Sequence, residues 1–142
     1  MRYAAAFLIF ATPASAWDFQ PGQPCRLTHA TAEAEIALTY DPTGPLYSVT
    51  VRREEAWPDA PDFFMRFEGP QGRAIGTDRH VLSEDGKSLT VTDRSFGNVL
   101  DGLQFNHRAV ASSGDAEAAF SLEGAAHAVA KFRACDGASL AS

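Results

Sequence analysis

The sequence is poor in cysteine, has no excess of basic residues and contains no apolar run long enough to cross a membrane. Its 142 residues include two cysteines, and 18 acidic residues outnumber 12 basic ones, for a net charge of −6. This acidic balance argues against a nucleic-acid-binding surface, which needs clustered lysine and arginine. An apolar fraction of 45% with a charged fraction of 21% is typical of a folded chain. We therefore expect one folded domain that does not bind nucleic acid.

Motifs for nucleotides, metals and covalent catalysis are also missing. Residues 86–88 (Gly-Lys-Ser) end like a phosphate-binding loop, but Val81 stands where that loop needs its first glycine, so ATP binding is not expected. The sequence has no G-x-S-x-G elbow, and no histidine pair has the spacing of a common metal site. The histidines are His29, His80, His107 and His127. We predict neither a metal nor a cofactor.

The N-terminal segment has the layout of a secretory signal peptide. Arg2 supplies a positive charge, residues 4–11 are apolar, and residues 14–16 (Ala-Ser-Ala) match the small residues that precede a cleavage site. The apolar run is far shorter than the roughly 20 residues of a membrane anchor. We predict removal of residues 1–16, a mature chain that begins at Trp17, and a soluble periplasmic or secreted protein. A buried N-terminal strand is the alternative.

Export makes the two cysteines informative, because oxidising compartments favour disulfide bonds. A bond between Cys25 and Cys135 would tie together the two ends of the mature chain. It requires Cα atoms roughly 4.4–6.8 Å apart. Two free thiols or part of a metal site are the alternatives, although the cysteines lack the short spacing typical of zinc ligands. We predict the disulfide.

Alternating apolar and polar residues, separated by turn residues, predict about eight short strands. They cover residues 33–40, 46–53, 63–68, 73–77, 80–83, 88–93, 104–111 and 116–122, with one helical turn at 98–102. We also place Cys25 at the start of a strand ahead of these, the first strand of the chain.

After Gly124, the spacing of apolar residues changes from that of a strand to that of a helix. Residues 124–135 place Ala125, Ala128, Val129, Phe132 and Cys135 on one face of a helix. Residues 17–142 therefore predict a single mainly β domain, an antiparallel β-sandwich or barrel with one C-terminal α-helix.

Two groups of residues are candidate functional sites. Asp78, Arg79 and His80 form the densest polar cluster, in which Asp78 and His80 would share a strand face and could do acid–base work. A simple turn between strands is the competing interpretation. Trp17, Phe19 and Trp57 lie in proline-flanked segments and could form an exposed apolar recognition patch. A loop that plugs one end of the β-structure is the alternative there.

The mature chain resembles a family of small exported proteins of alphaproteobacteria along nearly its whole length. The segments that carry the resemblance are residues 25–29 (CRLTH), 39–42 (TYDP), 77–83 (TDRHVLS), 96–103 (FGNVLDGL) and 132–135 (FRAC). Members of that family often carry the name of an ATP-dependent DNA-repair excinuclease, which does not fit a short, acidic, exported chain without a nucleotide-binding loop. The C-terminal strand and helix are also similar to periplasmic proteins of the invasion-associated locus B type. The resemblance implies export but transfers no functional residues.

Three functions remain in competition. The leading hypothesis is a non-enzymatic binding module, whose partner is a periplasmic protein or an envelope component. The second is a small hydrolase or lyase that uses Asp78 and His80. The third is a carrier of an apolar ligand, which an apolar pocket inside the β-structure would support.

Overall fold

Two antiparallel sheets and two helices make up residues 16–135, the part of the chain that a computed structural model describes. The strands are β1 (Asp18–Gln20), β2 (Cys25–Ala30), β3 (Ala34–Asp41), β4 (Leu46–Arg53), β5 (Phe63–Glu68), β6 (Arg73–Thr77), β7 (Val81–Leu82), β8 (Ser88–Asp93), β9 (Arg108–Ser113) and β10 (Ala116–Ser121). The helices are α1 (Gly97–Gln104) and α2 (Ala125–Ala134). The predicted signal peptide lies outside the described residues except for Ala16. None of the described helices is long and apolar enough to span a membrane.

The strands divide into two open sheets, so the sandwich alternative fits and the barrel does not. One sheet has the order β1-β2-β3-β4-β8-β7 and the other the order β10-β9-β5-β6. Each sheet therefore ends in two edge strands: β1 and β7 in the first, β10 and β6 in the second. The predicted mainly β antiparallel fold with a C-terminal helix is confirmed.

The period-two pattern of the sequence builds the core between the sheets. On β3, every second residue from Ala34 to Tyr40 is buried, and on β5 the buried residues are Phe63, Met65 and Phe67. Their neighbours in the chain face outward, as Phe64 does with 48% of its surface exposed. Burial of each large apolar side chain contributes about 1.5–3 kcal/mol. The alternation seen in the sequence thus decides which face of each strand is inside.

Helix α2 packs against β1, β2 and α1, and the predicted apolar face is the buried one. Its buried residues are Ala125, Ala128, Val129 and Phe132. Gly124 precedes the helix with a φ of +79°, a left-handed conformation that favours glycine. On the half-exposed side of α2, Arg133 Nη1 lies 2.8 Å from Asp101 Oδ1 and links the two helices.

Cys25 and Cys135 lie at disulfide distance, with their Cα atoms 6.6 Å apart, inside the predicted range. Both residues are buried, Cys25 at the start of β2 and Cys135 directly after α2. The pair therefore joins the C-terminal helix to the second strand. The assignment of Cys25 to the first strand is wrong because residues 18–20 form a further strand, in which Phe19 pairs with Leu27 of β2.

Helix α1 is longer than the predicted turn at 98–102, and β9 begins later than the predicted 104–111. Gly102 does not end the helix. It lies within α1, where a Cβ atom would come 2.4 Å from the ring of Phe67. Beyond the helix, the Asn106 side chain accepts a hydrogen bond from the backbone N–H of Gln71 (2.8 Å) and donates one to the Gly102 carbonyl (3.0 Å). These tertiary contacts keep the residues after α1 in a non-strand connection, so β9 begins only at Arg108.

Candidate functional site

The predicted polar cluster lies in the connection between β6 and β7. Because this segment is not a strand, Asp78 and His80 do not share a strand face as the alternation suggested. His80 Nε2 donates a hydrogen bond to the Ala60 carbonyl (3.0 Å), and its Nδ1 is buried with no partner in the described chain. Across residues 16–135, no hydrogen bond or ion pair joins Asp78 to His80. An acid–base pair needs hydrogen-bond reach, and this arrangement does not provide it.

The prediction of an exposed apolar patch at Trp17, Phe19 and Trp57 is wrong, because both tryptophans are buried. Trp17 is 6% exposed and its indole N–H donates to the Ser121 carbonyl at 2.9 Å. Trp57 is 3% exposed and donates to the Val51 carbonyl at 3.0 Å. An indole with its N–H satisfied by a backbone carbonyl can be buried whole. Phe19, the third residue of the predicted patch, is half-buried against the core.

The structure instead shows a cleft between the two sheets with a mixed apolar and polar lining, which we call the inter-sheet cleft. Its volume is about 370 Å³, within the range of roughly 300–1,000 Å³ that is typical of ligand sites. Its apolar lining comes from both sheets and from the start of α1: Val49, Val91, Phe63, Met65, Ile75, Phe96 and Val99. Ile75, Val91 and Val99 are only partly buried, so the core leaves apolar surface open here.

Polar residues line the cleft as well as apolar ones. Thr92 and Asp93 line it from β8, and Ser95 and Asn98 line it at the start of α1. Thr77, the last residue of β6, and Arg79, in the connection to β7, also line it. Because β7 pairs antiparallel with β8, the residues before β7 lie toward the C-terminal end of β8. The cleft is therefore mixed apolar and polar, and its lining includes one positive and one negative side chain.

Arg79 differs from the arginine at the opposite end of β6. Arg73 donates to Asn98 Oδ1 at 3.3 Å and lies 3.9 Å from Asp101 Oδ2, so its charge is compensated. The guanidinium of Arg79 has no hydrogen-bond or ion-pair partner in the described part of the chain. The cleft lining thus includes a positive charge that forms no ion pair among the described residues.

Among the described residues, the resolved pKa shifts belong to side chains outside the cleft. Burial lowers the pKa of His29, partly offset by a hydrogen bond with the backbone of Ala16. Hydrogen bonds from Arg66 and Arg108 lower the pKa of Glu68. No group of three or more histidine, cysteine, aspartate or glutamate side chains between residues 16 and 135 is placed to hold a metal ion.

The sequence pattern identifies several residues that line the cleft, but it does not predict the cleft itself. The alternation predicts that Val49, Phe63, Met65, Ile75 and Val91 face inward. It cannot predict that the space between them stays open, because that depends on how the two sheets diverge. The sequence groups Arg79 into an Asp–Arg–His cluster, whereas in the fold it lines the inter-sheet cleft.

No protein-family model, curated protein or solved structure matches the chain. The function is therefore inferred from the inter-sheet cleft and the residues around it.

Proposed function

We propose that this protein is an exported binding module that takes an apolar ligand into the inter-sheet cleft. The observation that carries the proposal is an opening of about 370 Å³ lined by apolar side chains of both sheets. Apolar surface open to water in a folded core is unfavourable by roughly 25 cal/mol per Å². A ligand that covers Ile75, Val91 and Val99 would recover this free energy.

A binding role accounts for the cleft better than catalysis does. Ligand sites combine an apolar lining with a few polar groups that orient the ligand, and the inter-sheet cleft has this composition. Neither Asp78 nor His80 lines it. We therefore favour the apolar-ligand carrier over the hydrolase or lyase.

Export to the periplasm or the exterior, and membership of the family of small exported alphaproteobacterial proteins, are part of this proposal. The predicted cleavage after Ala16 would leave Trp17 at the start of the mature chain, directly before β1. The disulfide between Cys25 and Cys135 would then form in an oxidising compartment. N-terminal sequencing of the exported protein should begin at Trp17. A soluble exported form that retains Met1 would contradict the signal peptide.

A neutral fluorescent probe tests the proposed binding site. N-phenyl-1-naphthylamine becomes brightly fluorescent in apolar surroundings, and titration with the wild-type protein should show saturable binding at one site. The Val91→Trp variant fills the cleft and should weaken this binding at least tenfold. Val81→Trp is the matched control, because Val81 lies on the neighbouring strand β7, is 67% exposed and does not line the cleft.

Circular dichroism melts of both variants establish whether each one folds. Should Val91→Trp fail to fold, Val99→Trp on α1 narrows the same cleft from its helical end. No saturable binding by the wild type would overturn the proposal. Equal loss of binding in the Val81→Trp and Val91→Trp variants would place the probe outside the cleft.

A further inference from the structure

We propose that the ligand of the inter-sheet cleft is a free single-chain amphipath with a carboxylate head group, and that Arg79 binds this head group. The inference rests on the proposed function and specifies its ligand. The alkyl chain would lie between the sheets, and the head group would stay beside Arg79, in the connection to β7.

The first observation that supports this proposal is that Arg79 forms no ion pair among the described residues. Six other arginines form ion pairs: Arg52 with Asp85, Arg53 with Glu55, Arg66 and Arg108 with Glu68, and Arg73 and Arg133 with Asp101. Three arginines among residues 16–135 form no ion pair, namely Arg26, Arg79 and Arg94, and of these Arg79 lines the cleft whereas Arg26 and Arg94 do not. A guanidinium presents its N–H groups in a fork that matches a carboxylate. A ligand carboxylate would therefore supply the missing counter-charge.

Asp93 is the negatively charged residue of the cleft lining and is the competing contact for a head group. Its Oδ1 accepts the backbone N–H of Arg94 at 2.6 Å, which leaves it less available to a cationic head group. The guanidinium of Arg79 makes no such contact among residues 16–135. We therefore expect Arg79 to bind the head group and the head group to be anionic.

The size of the cleft argues for one chain. Its volume of about 370 Å³ lies near the lower limit of ligand sites, roughly 300–1,000 Å³. A two-chain membrane lipid needs a larger cavity. Thr77, which also lines the cleft, carries a hydroxyl that can donate to the second carboxylate oxygen.

Decanoate and 1-decanol separate the contribution of the head group from that of the chain. Displacement of N-phenyl-1-naphthylamine measures the affinity of both. We expect the wild type to bind decanoate roughly three- to fivefold more tightly than 1-decanol, as is typical of an exposed charge pair. Arg79→Gln should abolish this preference and leave 1-decanol binding unchanged. Arg26→Gln is the matched control, because Arg26 is exposed on β2, does not line the cleft and changes the net charge equally.

The outcomes distinguish the two proposals. Failure of both ligands to bind would overturn the proposed function and this inference together. Equal affinities in the wild type, or a preference that survives Arg79→Gln, would overturn only the role of Arg79. Tighter binding of decylamine than of decanoate would indicate that Asp93 binds a cationic head group instead, and would overturn the role of Arg79. Sedimentation with phosphatidylglycerol vesicles that depends on Arg79 would contradict a free single-chain ligand.

Discussion

Replacing Gly102 with alanine should destabilise the fold, although alanine is the better helix former. Gly102 lies within α1 against the ring of Phe67. A Cβ atom at this position would come 2.4, 2.5 and 2.6 Å from three carbon atoms of that ring. Phe67 is only 1% exposed, so its ring cannot move aside into solvent. Either the helix or the sheet beneath it must shift.

Two opposing terms determine the size of the effect. Alanine is favoured over glycine in a helix interior by about 1 kcal/mol. Overpacking of a well-packed core costs typically about 1–3 kcal/mol, and contacts this short place the cost near the upper end. We therefore expect Gly102→Ala to lower the free energy of unfolding by about 2 kcal/mol.

Urea denaturation followed by circular dichroism measures this difference. Gly97→Ala is the matched control in the same helix, because its added Cβ would meet no heavy atom within 4 Å among residues 16–135, apart from its chain neighbours and the nearby helix backbone. It should leave stability unchanged or raise it by up to about 1 kcal/mol. Combining Gly102→Ala with Phe67→Leu should recover part of the loss, since the smaller side chain frees space. Gly102→Ala with wild-type stability would refute the packing argument.

Further predictions concern the cysteine pair and two titrating side chains. Unfolded but unreduced protein should show no reactive thiol at Cys25 or Cys135, and two reactive thiols would contradict the bond. Reduction should raise hydrogen exchange in α2 before the sheets, because two of the four buried residues of α2 are alanines, whose burial contributes little. Burial lowers the pKa of His29 from 6.5, so the unfolded state binds more protons below that pH and stability should fall as the pH drops from about 6.5 through the lowered pKa. His29→Gln should remove this slope in urea melts at several pH values, and an unchanged slope would contradict it. Hydrogen bonds from the Ser83 hydroxyl and a backbone N–H lower the pKa of Asp85 from 3.8 to about 2, so its contribution is present above pH 3.8 and lost as the pH falls through about 2. Asp85→Asn should therefore destabilise the protein at neutral pH but match the wild type near pH 2, and equal melts at neutral pH would show that these hydrogen bonds do not stabilise the turn.

Local pattern predicted the strands well where one face is buried and the other is not. β4, β5, β6 and β8 match the predicted ranges, because a period of two is enough to assign the inner face of such a strand. The C-terminal helix was equally predictable, since its apolar residues recur at helical spacing.

What local pattern missed depends on partners far away in the chain. Gly102 looked like a helix end, but it is glycine because the ring of Phe67 packs against it. Trp17 looked exposed, but its indole N–H donates to the Ser121 carbonyl, more than a hundred residues away. The inter-sheet cleft belongs to the same class of feature. Its lining residues were correctly assigned to the interior, yet the space between them exists only in the assembled sandwich.

The location of a bound alkyl chain shows whether the inter-sheet cleft is the ligand site. With the protein saturated with 1-decanol, intermolecular nuclear Overhauser effects identify the side chains that contact the methylene groups. We expect contacts to the methyl groups of Val49, Ile75 and Val91, which line the cleft. We expect none to Val81, which is 67% exposed on β7. Contacts confined to Val81 and other outward-facing side chains, or no contacts at all, would contradict the proposed ligand site.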